Sequence, residues 1–558
     1  MLDTLSVQLK PCPYTKPGSR LKWGVLSGPL IAIMKSLRLL LPLLALCPAA
    51  FSRAEVTLPH LLSSHMVLQR NRPIHLWGWA DPGEQVTATL HGSSAAAKAD
   101  DLGHWSLYLP AEKAGGPYQV TIAGTNRIVL DDVLVGDVWV ASGQSNMEFP
   151  LLGFGPTTPM QNGAEEIRNA NQPQLRLMLV QKATSPYPLQ DVNTDPQAGS
   201  PEGWTLCTPD TAAHFSAAAY FFAREIAAKE HVPVGVIDST WGGTPGESWV
   251  SMDGLAADPG LMPVFAFWAD KSRDAGDVPR LQAAEKRADE AATAAGKPKP
   301  QHPWHPDLRS WNPSWLFNGM IAPLTPLPIQ GVIWYQGETN SDVRRALSYE
   351  RIFPALIEDW RKQWGQGDFP FLYVQISSFR SNAGEDWPVI REAQRRTLKL
   401  VNTAMAVTID IGNPENVHPA DKQDVGHRLA LAARAVAYGE QVEDSGPLFR
   451  QATPAGDAIQ VWFDHGDGLT AKHGELTGFE VAGADRNFTR AEAKIEHHEA
   501  GEYISVSSPS VSQPLYVRYG WQNAPAPTLN LYNAAGLPAS PFTSEKDIPA
   551  PDPAHPTN

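Results

Sequence analysis

Five apolar runs constrain this chain more than any other feature: "DVLVGDVWVAS", "VPVGVIDSTWGG", "IQGVIWYQGETN", "PFLYVQISSF" and "MAVTIDIG". Each is apolar enough to be a buried strand and breaks off at or beside a small or glycine residue. Helical patterns lie between and after them. "FSAAAYFFAREIAAKE" places Phe215, Ala219, Phe222 and Ile226 at helical spacing, and "YERIFPALIEDWRKQW" and "DKQDVGHRLALAARAVAYG" read the same way. Strands alternating with helices predict a parallel sheet covered on both faces, here over residues 131–440. Functional groups in such sheets gather beyond the carboxyl ends of the strands.

The flanks have another pattern. Residues 55–130 alternate as β structure: "QVTATLHG" sets Val86, Ala88 and Leu90 on one face and Thr87 and Thr89 on the other, and "DPGE" and "AGG" punctuate. An N-terminal β-sandwich or jelly roll is expected, with Trp77, Trp79 and Trp105 read as core residues ahead of the alternative that they stack on sugar rings. Residues 256–318 interrupt the α/β region with the Ala-rich, charge-laced "RLQAAEKRADEAATAAGK" and the proline linker "PKPQHPWHP", which read as a helical insertion. After Tyr438 come "IQVWFDH", "YISVSS" and "LYVRYGW", so residues 441–545 are expected to form a C-terminal β-rich module. The Pro-rich tail, 546–558, is expected to be disordered.

The first 54 residues read as a leader. Met34-Lys35-Ser36-Leu37-Arg38 opens a short basic segment, Leu39 to Ala50 is apolar but broken by Pro42 and Pro48, and Ser52-Arg53-Ala54 suits a signal peptidase. The expectation is a secreted or periplasmic protein started at Met34 and cleaved near Ala54, with no membrane anchor thereafter, because a span needs about 20 uninterrupted apolar residues. The leader carries seven basic residues and one acid, so the net charge of −14 becomes −14 − 6 = −20 after cleavage. That balance argues against a nucleic-acid partner, since phosphate binding rests on Lys and Arg. Cys207 alone remains of three cysteines, which excludes an intrachain disulfide and a cysteine zinc cluster.

Four polar segments fall at expected strand ends. "SGQSNM" presents Ser145, "DSTWGGTPGESW" presents Gly242 and Gly243, "WYQGETNS" presents Gln336 and Asn340, and "GNPENVHPADKQ" presents His418. A serine hydroxyl becomes a nucleophile only when a base takes its proton, and an imidazole from another strand end can do so. The oxyanion that forms needs donors, for which the backbone N–H groups of Ser145 and Gly243 and the side-chain amide of Gln336 or Asn340 are of the right kind. The nucleophile elbow of α/β-hydrolase lipases, Gly-x-Ser-x-Gly, is not met, because Met147 takes its last position.

The same residues bring a resemblance. "GQSNMEF", "STWGGTPGESW", "IWYQGETN" and "NVHPADKQDVGHRLAL" resemble the consensus blocks of the sialate O-acetylesterase family, within the SGNH hydrolase superfamily. "FNGMIAPL", "REAQ" and "NLYNAAGLPASPF" resemble it too, and the likeness runs from "LPHLLSSHMVLQR" to residue 545. It implies a flavodoxin-like three-layer catalytic domain with accessory β-sandwich modules, Ser145 as nucleophile, His418 as general base, and Gly243 and Gln336 in the oxyanion hole, with Asn340 the lesser candidate. It implies no metal and no organic cofactor. Many SGNH enzymes have Asp three residues before the histidine, where this chain has Glu415; Glu415 is the favoured third member, with Asp410 or a Ser-His dyad as alternatives. The implied reaction is hydrolysis of acetyl esters on sugars.

For the substrate the sialate O-acetylester reading is placed first, with an acetylated hemicellulose as the alternative. A sialic acid carboxylate would favour an arginine fork, for which Arg391 is the candidate. An acetylated xylan or xyloglucan would favour a cleft lined by aromatics such as Trp241, Trp249, Trp304, Trp311, Trp315 and Trp387. An inert carbohydrate-binding protein is the alternative from another class.

Overall fold

A computed structural model describes residues 55–193, 203–274, 278–300, 302, 305, 307–381, 384–499 and 501–550. The leader, Trp304 and residues 551–558 of the tail lie outside them. The five apolar runs all become strands: β1 (Arg127–Gly143), β3 (Val234–Thr240), β4 (Gly331–Tyr335), β5 (Phe371–Gln375) and β6 (Thr403–Val407). With β2 (Gln172–Leu179) they lie in the order β6-β5-β4-β1-β3-β2, all neighbours parallel.

Register makes the site. Thr240 pairs with Gly143 on one side of β1 and Tyr335 pairs with Gly143 on the other, so three strands end at one level and their loops emerge side by side. Gly143 is what allows this: its φ is +133°, and a Cβ there would lie 2.2 Å from the Tyr335 carbonyl oxygen.

Helices α1 (Ala217–Glu230), α2 (Tyr349–Trp364), α3 (Trp387–Thr397) and α4 (Lys422–Val436) cover the sheet. Side chains alternate across a strand, so Trp139 of β1 and Trp334 of β4 point to opposite faces, given that Trp334 is level with Ser142. Trp139 meets Phe222 of α1 edge-on at 5.0 Å, while Trp334 meets Phe353 and Trp360 of α2 at 6.5 and 5.7 Å. Helix α4 lies so close to α1 that a Cβ at Gly426 would come within 2.5 Å of the Phe221 Cβ. Its first turn is capped by Asp421, whose carboxylate accepts from the Asp424 N–H at 3.0 Å.

Strand β1 is longer than its apolar run. Its first half pairs antiparallel with Gly115–Ala123 and, at Leu134–Gly136, parallel with Val67–Gln69, before the strand runs on into the central sheet. Position 130 therefore falls inside a strand. The other N-terminal strands form antiparallel pairs, Gln85–Leu90 with Ser93–Lys98 and Ile74–Trp79 with His104–Leu109. Trp77 and Trp105 are buried.

Within 256–318 the helices Pro263–Asp274 and Val278–Ala294 form, the second with no buried side chain among the described residues. Past α4 come two four-stranded antiparallel sheets, one of Leu448–Ala455, Ala458–Asp464, Gly501–Ser507 and Glu492–His498, the other built around Phe479–Ala482 and Tyr516–Tyr519. Among the described residues no helix is long and apolar enough to cross a membrane.

Candidate active site

Ser145 opens a single helical turn, Ser145–Glu148, directly beyond β1. The Gly242-Gly243 turn beyond β3 packs against it, since a Cβ on Gly242 would be 3.1 Å from the Ser145 Cβ. Gly243 has φ +71°, a left-handed conformation that favours glycine. The turn is fixed from outside by the Trp311 indole, which donates to the Gly243 carbonyl at 2.7 Å, and the Gly242 N–H donates to the Glu148 carboxylate at 2.5 Å.

His418 reaches the same place from the loop between β6 and α4. Asn146, the residue after the serine, donates to the Val417 carbonyl at 3.0 Å and so ties the Ser145 turn to the His418 loop. Among the described residues no hydrogen bond joins the Ser145 hydroxyl to the imidazole. The ring packs on Phe154 at 5.1 Å and Phe149 at 6.3 Å. Burial among these rings, with the nearby Lys422 ammonium, lowers its pKa to about 4, so the imidazole is neutral and able to accept a proton at neutral pH.

The remaining predicted residues sit differently. Gln336 is fully buried; its amide N–H groups donate to the Thr244 carbonyl at 3.2 Å and to Asn340 Oδ1 at 2.7 Å, and its oxygen accepts from the Tyr349 hydroxyl. Asn340 accepts from the Gly246 N–H and donates to Glu247. Both amides thus brace the loop after Gly243 from beneath. Glu415 is exposed and paired with Arg380. Asp410 is gripped by both nitrogens of the Arg428 fork, at 2.6 and 2.9 Å, and accepts from the Tyr532 hydroxyl. Neither carboxylate bonds the imidazole.

A mouse sialate O-acetylesterase is 30% identical to this chain in an alignment 532 positions long that covers 87% of this chain and 93% of the mouse protein. The chain belongs to the sialate O-acetylesterase family. The orangutan (Pongo abelii) sialate O-acetylesterase is 33% identical in an alignment 429 positions long that covers 69% of this chain and 72% of that protein. The family profile "Carbohydrate esterase, sialic acid-specific acetylesterase" matches residues 304–435. A crystal structure of a carbohydrate acetylesterase from Xanthomonas citri superposes with a TM-score of 0.74 at 38% identity, covering 88% of this chain and all of that one. This family member is an ester hydrolase.

Beside the esterase's Glu148 lies a cavity of about 300 Å³, lined by Phe154, Lys182, His214, Asp238 and Thr240 among others. Lys182 donates to Glu148 at 2.7 Å and lies over the Trp241 ring at 5.6 Å. Asp238 is wholly buried, and burial raises its pKa to about 7 although it accepts from Thr240 and the Ser216 N–H. Arg391 is not available to a substrate: it is fully buried and donates to the carbonyls of Ile376, Ser377, Gln522 and Asn523. Trp249 and Trp387 are core residues too, while Trp241 and Trp315 keep part of their surface exposed.

Sequence reasoning missed Asn146, Glu338 and Lys422. Lys422 is fully buried and donates to Asn146 Oδ1 at 2.7 Å; Asn146 in turn donates to Glu338 Oε1 at 2.6 Å. Asn146 and Glu338 stand inside quoted motifs, "SGQSNM" and "WYQGETNS", and Lys422 inside "HPADKQ". Nothing in the spacing distinguished them from surface residues.

Proposed function

We propose that this protein is a carbohydrate O-acetylesterase in which Ser145 is the nucleophile and His418 the base, on a flavodoxin-like three-layer SGNH core flanked by β-sandwich modules. The hydrogen bond from Asn146 to the Val417 carbonyl carries the reading, because it ties the hydroxyl-bearing turn to the imidazole loop. The strand order and the helices on both faces support the core, and the family's named activity supports the ester. The leader supports export to a periplasm or the outside.

Ser145 Oγ attacks the acetyl carbonyl carbon and gives its proton to His418. The backbone N–H groups of Ser145 and Gly243 stabilise the oxyanion, while Gln336 holds the Thr244 carbonyl and so fixes the loop that presents Gly243. The sugar C–O–acetyl bond then breaks on the acyl side, and His418 returns the proton to the sugar oxygen. Water attacks the acetyl-serine, its proton passes through His418 to Ser145, and acetate leaves. With Glu415 on Arg380, the imidazole is oriented by the Phe149 and Phe154 rings, which makes a Ser-His dyad. No step calls for a metal or organic cofactor.

The site favours a neutral sugar over a sialic acid. Arg391 is committed to four carbonyls, and the Lys182 charge in the adjoining cavity is matched by Glu148, so among the described residues no unmatched cation there receives a carboxylate. Acetate release from 9-O-acetylated sialic acid, acetylated xyloglucan and acetylated xylan, by the wild type and Ser145→Ala, tests both parts. Release that Ser145→Ala abolishes supports the mechanism, and release from the plant polymers alone supports the neutral substrate. Release from sialic acid alone would overturn the substrate reading, and no release from any would favour an inert carbohydrate-binding protein.

A further inference from the structure

The buried triad Lys422–Asn146–Glu338 sits between the two segments that the proposed mechanism joins. Asn146 Oδ1 accepts from Lys422 at 2.7 Å, and its amide nitrogen donates both to Glu338 at 2.6 Å and to the Val417 carbonyl at 3.0 Å. Every polar atom of the Asn146 side chain is thus engaged, and its orientation is fixed by partners on three elements: α4, the turn after β4 and the His418 loop. The Lys422 ammonium also lies over the Phe149 ring at 4.9 Å and the Tyr335 ring at 5.4 Å, which leaves it no route to water. A wholly buried lysine is costly and is kept only where it is paired.

We propose that Lys422 is a positioning residue for hydrolysis: by fixing Asn146 it holds the Ser145 turn against the His418 loop. The proposal rests on the Ser145–His418 reading and goes beyond it. A second effect follows from its charge. The groups facing Lys422 are Glu338 on the turn after β4, Asp421 at the start of its own helix, and His418 on the preceding loop. Those around the imidazole are Phe149 and Phe154 from the nucleophile's segment and Lys422 from α4, with Glu415 turned away onto Arg380 and Glu148 paired with Lys182. Burial is the larger cause that opposes imidazolium formation, and the Lys422 charge adds to it, because burial lowers the lysine itself only to about 7 and it is protonated where the imidazole titrates.

The test measures kcat, KM and the pH profile of 4-nitrophenyl acetate hydrolysis for the wild type, Ser145→Ala, Lys422→Met, Lys422→Arg and Asn146→Ser, each checked for folding by thermal melting. Lys422→Met should lower kcat by about 100-fold, the scale of a misplaced reacting group, with KM little changed, and should move the acid limb upward by about one pH unit. Lys422→Arg should restore part of kcat and the wild-type limb. Asn146→Ser, too short to reach Lys422, should lose kcat but keep the wild-type limb, and it decides the positioning claim if Lys422→Met does not fold. Folded Lys422→Met or Asn146→Ser with wild-type kcat and profile would overturn the proposal. If Ser145→Ala instead keeps wild-type activity, the Ser145 reading itself fails.

Discussion

At His418 the surroundings set the chemistry. With its pKa lowered to about 4 by burial and then by Lys422, the imidazole stays an acceptor where an exposed histidine would already carry charge. With His418 as the proposed base, hydrolysis is expected to hold level as pH falls through about 6.5, the ordinary imidazole value, and to decline only towards about 4; kcat/KM measured across that range checks it. Glu415 is a solvated pair with Arg380, so Glu415→Gln should leave kcat/KM within about threefold of wild type. Asp238 has the opposite sign to a salt-bridged acid. Its folded pKa, about 7, lies above the ordinary 3.8, so the folded protein keeps a proton that the unfolded chain sheds, and stability falls as pH rises from 3.8 towards 7 and levels off beyond. Asp238→Asn, which preserves the acceptor for the Ser216 N–H, should match the wild type near pH 4 and be more stable at pH 8 by about 4 kcal/mol, read from thermal melts at the two values.

At the level of elements, the three strand ends at Gly143, Thr240 and Tyr335 form the floor of the site. Gly143→Ala would drive a methyl into the Tyr335 carbonyl in a left-handed conformation, and should cost about 3 kcal/mol in denaturant unfolding. Much of this arrangement was legible. Apolar runs ending on glycine and serine gave the strands, and the polar segments just past them gave the strand-end loops on which Ser145, Gly243 and His418 stand. Direction within a loop was not legible. Gln336 and Asn340 stand at a strand end as Ser145 does, yet the turn Glu338–Asn340 curls beneath the Thr244–Glu247 segment and buries both amides. Glu415 has the spacing of a triad acid, but Arg380 draws its carboxylate outward. Lys422 carried no signal, because lysine is ordinarily a surface residue and only packing distinguishes a buried one.

For the molecule as a whole, Arg391 links the α/β core to the chain beyond α4. Its guanidinium joins carbonyls at Ile376 and Ser377, next to β5, to carbonyls at Gln522 and Asn523 in the C-terminal region. Arg391→Met would strip the Ile376, Ser377 and Gln522 carbonyls of the guanidinium donor, while the Asn523 carbonyl keeps the Phe379 N–H, and should destabilise the protein by about 3 kcal/mol or more, seen as a lower melting temperature and faster proteolysis after 440. The N-terminal strands are joined to the core in a different way, through β1 itself. Residues rise about 3.3 Å apiece along a strand and alternate sides, and the register of β1 is held at two places, by Val67–Gln69 at Leu134–Gly136 and by β3 and β4 out to Gly143. The N-terminal strands thus hold the first half of the same continuous strand whose far end carries the proposed nucleophile, so one backbone serves both parts of the molecule.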